Sequence, residues 1–178
     1  MKSYLEIQVP LKYDAPWFVE LRNVLDGIPV KWQTGYFHIT MAFLNETPKN
    51  LDLCHLLEKH LNSFQAPCLT FDRLDVFATY SGMYIVHLTS TNIPDDFIEL
   101  TEAIRSDMKK VGCLIESEFR LHVTLGRISG STATMSNLQN LISSVSLVPF
   151  SFMLTDVDYR IFRGKVIYET KLNNNKTK

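Results

Sequence analysis

Long apolar runs are missing from this sequence. No stretch approaches the roughly 18 residues that a membrane-spanning helix needs, and the opening MKSYLEIQVP has neither the basic region, the apolar run nor the cleavage site of a secretory signal. A cytoplasmic protein that makes no use of a membrane is therefore expected. Cysteine is scarce as well. Cys54, Cys68 and Cys113 are odd in number and widely spaced, with no CxxC and no clustering with histidine, which excludes a disulfide scaffold and a metal knot. They are expected as reduced thiols, some of them buried. Seven glycines and seven prolines are too few for a collagen-like or low-complexity polymer. Nor does one sign of charge dominate, with 18 basic against 19 acidic residues. A long nucleic acid held by charge alone is excluded, whereas a short RNA end or a single nucleotide gripped by a few local groups is not.

What is present is enough apolar material for a core: 46% of 178 residues are hydrophobic. A chain of this length hides on the order of 70% of the surface of its unfolded form and needs no staple. One domain is expected over residues 1–172, followed by a loose polar tail over 173–178. Alternation predicts strands at Ser3–Val9, Phe37–Leu44, Cys68–Thr79, Met83–Ser90, Phe119–Ile128, Pro149–Phe162 and Val166–Leu172. Helical spacing and punctuation predict four helices. The first is capped near Asp14, with Pro16 in its first turn, and runs to about Asp26; the second opens at Thr47-Pro48 and runs to Leu61. The third runs from Pro94 to Gly112, and the fourth spans about Thr132 to Val145. Strand, helix, motif strand, helix, strand occurs in the first half and largely recurs in the second. This order predicts an α+β protein with antiparallel sheets in two similar lobes.

The two halves carry matching motif strands, Phe37-His38-Ile39-Thr40-Met41-Ala42-Phe43-Leu44 and Leu121-His122-Val123-Thr124-Leu125-Gly126-Arg127-Ile128. Five histidines and 14 threonines in 178 residues would give about 0.4 His-x-Thr triplets by chance, and two are present. Each has an apolar residue before the histidine, a β-branched residue inside and an apolar residue after. Simple alternation puts His38, Thr40 and Ala42 on one face and Phe37, Ile39, Met41 and Phe43 on the other, and likewise groups His122, Thr124 and Gly126. On this reading Ala42 and Gly126 leave room for a ligand against the sheet.

Two imidazoles and two hydroxyls suit in-line displacement at phosphorus. A neutral histidine takes a proton from attacking water, and a protonated one opposite gives a proton to the departing oxygen. Thr40 and Thr124 can then hydrogen-bond the non-bridging oxygens, holding the group without a metal ion.

The paired triplets, 84 residues apart, make the sequence resemble the 2H phosphoesterase superfamily, and within it the RNA 2',3'-cyclic phosphodiesterase or 2'-5' RNA ligase-like group. Tyr4-Leu5-Glu6-Ile7-Gln8-Val9-Pro10 resembles the first strand of that group, and 152–172 its closing strand pair. The resemblance implies two pseudo-symmetric lobes with the His-x-Thr strands facing a central groove. It implies hydrolysis of the 2',3'-cyclic phosphate end of RNA or of a nucleotide to a 2'-phosphate, with no metal and no other cofactor. His122 is then the base and His38 the acid. Arg127 fills the phosphate-contacting position of His-x-Thr-x-x-Arg, yet alternation puts it on the face opposite His122, so a bulge or strand end is required there. Tyr36 precedes the first motif and can stack on a base. Asn45-Glu46 stands where the group usually has Gly-Glu. A monomer without an obligate protein partner is expected.

Alternatives within the same fold are 2'-5' oligonucleotide cleavage or ligation and opening of an ADP-ribose cyclic phosphate. From other classes come a non-catalytic RNA-end binding module and a two-histidine metal enzyme, the latter lacking carboxylate or thiolate partners at ligand spacing. Of the other histidines, His55 and His60 read as solvent-exposed and His87 as structural. Arg160 to Lys165 reads as a solvated turn or an RNA backbone contact. Arg120, beside His122, is open to the same two readings.

Overall fold

The computed structural model describes residues 2–48 and 51–174. Across the described residues the chain is a mixed α/β fold with four helices against a large antiparallel sheet. In order the elements are β1 (Ser3–Val9), α1 (Pro16–Val24), β2 (Lys31–Trp32), β3 (Phe37–Leu44), α2 (Cys54–Leu61), β4 (Cys68–Phe71), β5 (Arg73–Ala78) and β6 (Met83–Thr89). They continue with α3 (Asp95–Lys110), β7 (Val123–Ser129), α4 (Met135–Ser143), β8 (Phe150–Met153), β9 (Asp156–Ile161) and β10 (Val166–Lys171).

Eight strands form one sheet, ordered β10-β9-β1-β3-β7-β6-β5, with β2 added alongside β7. Where the sequence reading has a sheet in each lobe, the two halves join at the motif strands, which pair antiparallel through Ile39 and Val123. The junction brings the two His-x-Thr triplets side by side. β4 and β8 form a separate two-stranded sheet.

Two long predicted strands are each broken. Cys68–Thr79 divides at Asp72, whose Oδ1 accepts from the Thr91 amide and hydroxyl, so that β4 and β5 enter different sheets. Pro149–Phe162 divides at Leu154, whose amide donates to the Pro67 carbonyl while its side chain is buried. α1 is capped by Ala15 rather than Asp14, without a side-chain bond, and Pro16 supplies its preset φ at the first helical position. α2 begins at Cys54, whose amide is met by Asp52 Oδ1, later than the expected Thr47-Pro48 start; Lys49 and Asn50 lie outside the described residues. Gly112 ends α3 at φ 91°, and Cys113 N–H reaches back to the Met108 carbonyl, a left-handed cap that glycine takes without strain. At the chain end Asn173 is tied down. Its amide donates to Phe64 O and its side chain to Asn62 O, while 175–178 lie outside the described residues.

The core fills the helix-covered side of the sheet. Leu5 and Ile7 of β1, Phe37, Ile39 and Leu44 of β3, Val86 and Leu88 of β6 and Val123 of β7 join Phe18, Leu57, Phe97, Ile104 and Leu138 from the helices. Each such side chain contributes about 1.5–3 kcal/mol by leaving water. The alternate residues of the same strands are thereby committed to the opposite face, where the chemistry lies.

Candidate active site

Ladder partners share a face, so the register fixes what that opposite face carries. Glu6 pairs with Thr40, Gln8 with His38 and Tyr4 with Phe43, whereas the core residues Leu5 and Ile7 pair with Ala42 and Ile39. Between Leu5 and Glu6 the register slips by one, leaving Met41 as an extra residue in β3. The same happens in β7. His87 pairs with Thr124 and Ile85 with Arg127, whereas Val86 pairs with Gly126, so Leu125 is the extra residue. In both strands a bulge follows the threonine and reverses the alternation beyond it.

Two consequences correct the simple alternation. Ala42 and Gly126 belong to the core face, and the room at Gly126 is taken by the protein itself. A Cβ there would sit 2.6 Å from Val30 Cγ1 and 3.1 Å from Trp32 Cε3. Phe43 and Arg127 take the functional face instead. The bulge that Arg127 requires is present at Leu125, and Arg127 Nη1 donates to Gln33 Oε1 at 3.2 Å. Gln33 is held in turn by its amide to Leu125 O.

His38 sits in a nest of charged and aromatic groups. Its Nε2 is 3.5 Å from Oε2 of Glu6, a fully buried carboxyl whose Oε1 accepts from the Tyr36 hydroxyl and lies 3.1 Å from Arg160 Nε. Arg160 also donates to Asp158 Oδ2, which Gln8 Nε2 caps from the other side. The Arg160 guanidinium lies 5.0 Å from the Tyr36 ring centre. The imidazole stacks on Tyr4 with ring centres 6.1 Å apart, and Tyr36 leans over it at 5.5 Å. Burial raises the Glu6 carboxyl to about 7, against the pull of the Tyr36 hydrogen bond and the Arg160 charge. Burial lowers His38 to about 4, and His122, Arg160 and Arg127 push the same way. Glu6, protonated where His38 titrates, offers no counter-charge in that range.

His122, immediately before β7, is set by its backbone. Its Nδ1 lies 2.9 Å from the Arg120 carbonyl, which fixes the Nδ1–H tautomer and leaves Nε2 with a free lone pair. Burial again lowers its proton affinity, over the opposing effect of that carbonyl. Phe77 of β5 meets the His122 ring edge-on at 5.3 Å, and Arg120 caps Phe77 at 4.7 Å. His87 packs edge-on against His122 at 5.9 Å, 4% exposed, with Nδ1 on Ile85 O.

Thr40 and His122 line a cavity of about 550 Å³ together with Phe43, Phe77, Phe119, Arg105 and Arg120. Arg105 reaches it from α3, donating to the Met41 carbonyl at the bulge and to the Ser117 carbonyl. His55 is exposed as expected, but His60 is half-buried on Asp107 at 3.0 Å, away from these groups. Among the described residues no three His, Cys, Asp or Glu side chains group so as to hold a metal ion, and no helix is long and apolar enough to cross a membrane.

Residues 31–164 match the family described as the 2'-5' RNA ligase superfamily, and this span holds both motif strands. The chain belongs to the 2'-5' RNA ligase superfamily, the 2H phosphoesterases. Membership places it among phosphoesterases and ligases. Solved superfamily structures share its fold. Escherichia coli LigT complexed with 3'-AMP is 19% identical with a TM-score of 0.56, covering 97% of this chain and 95% of its own. Kluyveromyces marxianus Usb1 is 10% identical with a TM-score of 0.63, covering 96% and 98%, and it has also been solved with uridine monophosphate. A Thermus thermophilus protein is 16% identical with a TM-score of 0.60, covering 98% and 100%. No curated protein sequence gives a significant match.

Sequence reasoning missed Glu6, Gln33 and Phe43, and read Arg160 as part of a solvated turn or an RNA backbone contact, not as the partner of Glu6. Glu6 left a signal, since it is the one carboxylate in the apolar strand Tyr4-Leu5-Glu6-Ile7. The others left none, because their facing depends on the bulges and on β2.

Proposed function

We propose that this protein is a metal-independent phosphodiesterase that opens 2',3'-cyclic phosphate ends of RNA or of nucleotides, in a groove between two lobes that each present one His-x-Thr strand. The observation that carries the reading is the shared face of β3 and β7, which holds His38, Thr40, Thr124 and Arg127, with His122 at its edge. Two imidazoles flanking two hydroxyls and a guanidinium match a phosphate approached from one side and left from the other.

His122 is the base. Its Nδ1–H is committed to Arg120 O, so a neutral Nε2 accepts the proton of water as the oxygen attacks phosphorus. His38 is the acid, giving its proton to the ribose 3'-oxygen as the P–O3' bond breaks and leaving the phosphate on O2'. Thr40 and Thr124 donate to the non-bridging oxygens, and Arg127 balances their charge. Tyr36, its hydroxyl held by Glu6, offers its ring to stack on a base. The nucleotide bound to LigT and to Usb1 supports a nucleotide-bearing substrate here.

The test is hydrolysis of a 2',3'-cyclic nucleotide and of a short RNA with a cyclic phosphate end, in chelator, by wild type, His38→Ala and His122→Ala. Turnover by wild type with a loss of about a hundredfold or more in each variant is expected. Wild-type rates no higher than those of the variants, with the RNA still bound, would replace this reading with a binding module.

A further inference from the structure

A buried carboxylate oxygen without a partner is costly to keep. Glu6 Oε2 has no hydrogen-bond partner, and the group it faces is His38 Nε2 at 3.5 Å, whereas Oε1 is held by Tyr36 and Arg160. His38 Nδ1 also lacks a partner. The ring is flanked by Tyr4 and Tyr36, Nδ1 is shut off from solvent, and no backbone group takes either nitrogen as Arg120 O takes Nδ1 at His122.

We propose that Glu6 is the positioning residue for His38: its Oε2 shares one proton with Nε2 and supplies the negative charge that makes the ring an imidazolium when phosphate enters the groove, Nε2 then delivering that proton to the leaving oxygen. Glu6 and His38 behave as one site holding one proton. The forms carboxylic acid with imidazole and carboxylate with imidazolium have the same net charge, so an anion near the ring moves the proton from oxygen to nitrogen without a proton from water. The surrounding charges act on this balance. Arg160 and Asp158 reach the pair from β9, Tyr4 from β1 and Tyr36 from the turn before β3, while His122 just before β7 and Arg127 within β7 face it. The raised Glu6 carboxyl means that the shared proton is still held near neutrality, where His38 alone would have lost it. This assignment deepens the phosphodiesterase reading and rests on it for the identity of the acid.

The experiment uses Glu6→Gln, which keeps the size of the side chain and an oxygen to accept from Tyr36. With inorganic phosphate at neutral pH, the ¹⁵N spectrum of His38 is expected to show imidazolium in wild type and neutral imidazole in Glu6→Gln. In kcat/KM for a 2',3'-cyclic nucleotide, the alkaline limb is expected to move about one pH unit or more toward acid in Glu6→Gln, whereas loss of a merely structural group would lower the rate at every pH and leave the limb in place. Tyr36→Phe removes the hydrogen bond that lowers the Glu6 carboxyl, and it is expected to move the limb the other way; it carries the test if Glu6→Gln does not fold. The same His38 protonation in folded wild type and folded Glu6→Gln would overturn the proposal. The expected change at His38 without turnover by wild type would support the pair and remove the phosphodiesterase reading.

Discussion

Gly126→Ala tests the reasoning about the bulged strand at a single methyl group. The new Cβ would lie 2.6 Å from Val30 Cγ1 and within 3.3 Å of two Trp32 ring carbons, where ordinary carbon contacts sit at about 3.5–4.0 Å. Relief requires Val30 and Trp32 to retreat by roughly 1 Å, and overpacking of this kind costs about 1–3 kcal/mol. For a chain of this length that is a fall in Tm of roughly 3–10 °C. Trp32 pairs with Gly126 in β2, and the next residue, Gln33, holds Arg127, so the same displacement loosens the guanidinium. Thermal unfolding of wild type, Gly126→Ala, Val30→Ala and the double variant reads the coupling directly. Val30→Ala removes the closest obstructing atom, so the double variant should lose less than the two single losses combined. An unchanged Tm in Gly126→Ala, or strict additivity in the double variant, would show that the glycine is not there to admit β2.

Two further predictions concern charge. His38 and His87 are both lowered by burial from 6.5 to about 4, so the unfolded chain binds more protons between those values; stability should rise as pH climbs from about 4 to 6.5, by on the order of 2–3 kcal/mol per histidine. Glu6 has the opposite sign, since the folded state holds its proton up to about 7 and stability is lost as pH rises from 4.5 through that value. Urea unfolding across this range should show a net gain smaller than two histidines alone would give, and in Glu6→Gln the gain should be larger. Arg160→Met removes the cation beside the buried carboxylate while keeping much of the packing, and its loss of Tm should be clearly greater at pH 8 than at pH 5, where Glu6 takes a proton instead. An equal loss at both pH values would place the role of Arg160 in its stacking on Tyr36.

Two strands were legible to the residue, Ser3–Val9 and Phe37–Leu44, the second because its alternation holds from Phe37 through Thr40, and the twin His-x-Thr triplets marked the two strands that the fold sets side by side. What escaped was set by partners. Met41 and Leu125 are apolar residues in apolar strands, so nothing local marks them as the surplus members of a ladder, and the facing of Phe43 and Arg127 went with them. β2 is two residues long, too short for any period, and its place comes from the gap at Gly126. Asp72 and Leu154 break strands through bonds to Thr91 and Pro67 that only the assembled fold supplies. The need for a bulge at Arg127 was nonetheless visible beforehand, as a conflict between motif and parity.

The surplus residue in each motif strand divides that strand into two reading frames. Upstream of it, both strands present the same pair, an imidazole and a hydroxyl. Downstream, in the shifted frame, one presents the ring of Phe43 and the other the cation of Arg127. The likeness of the strands therefore stops one step past the shared chemistry, and from there the face has a direction, flat and apolar at one end and positively charged at the other. Substitutions at positions 43 and 127 can retune those ends while the frame that holds His38 and His122 stays in register.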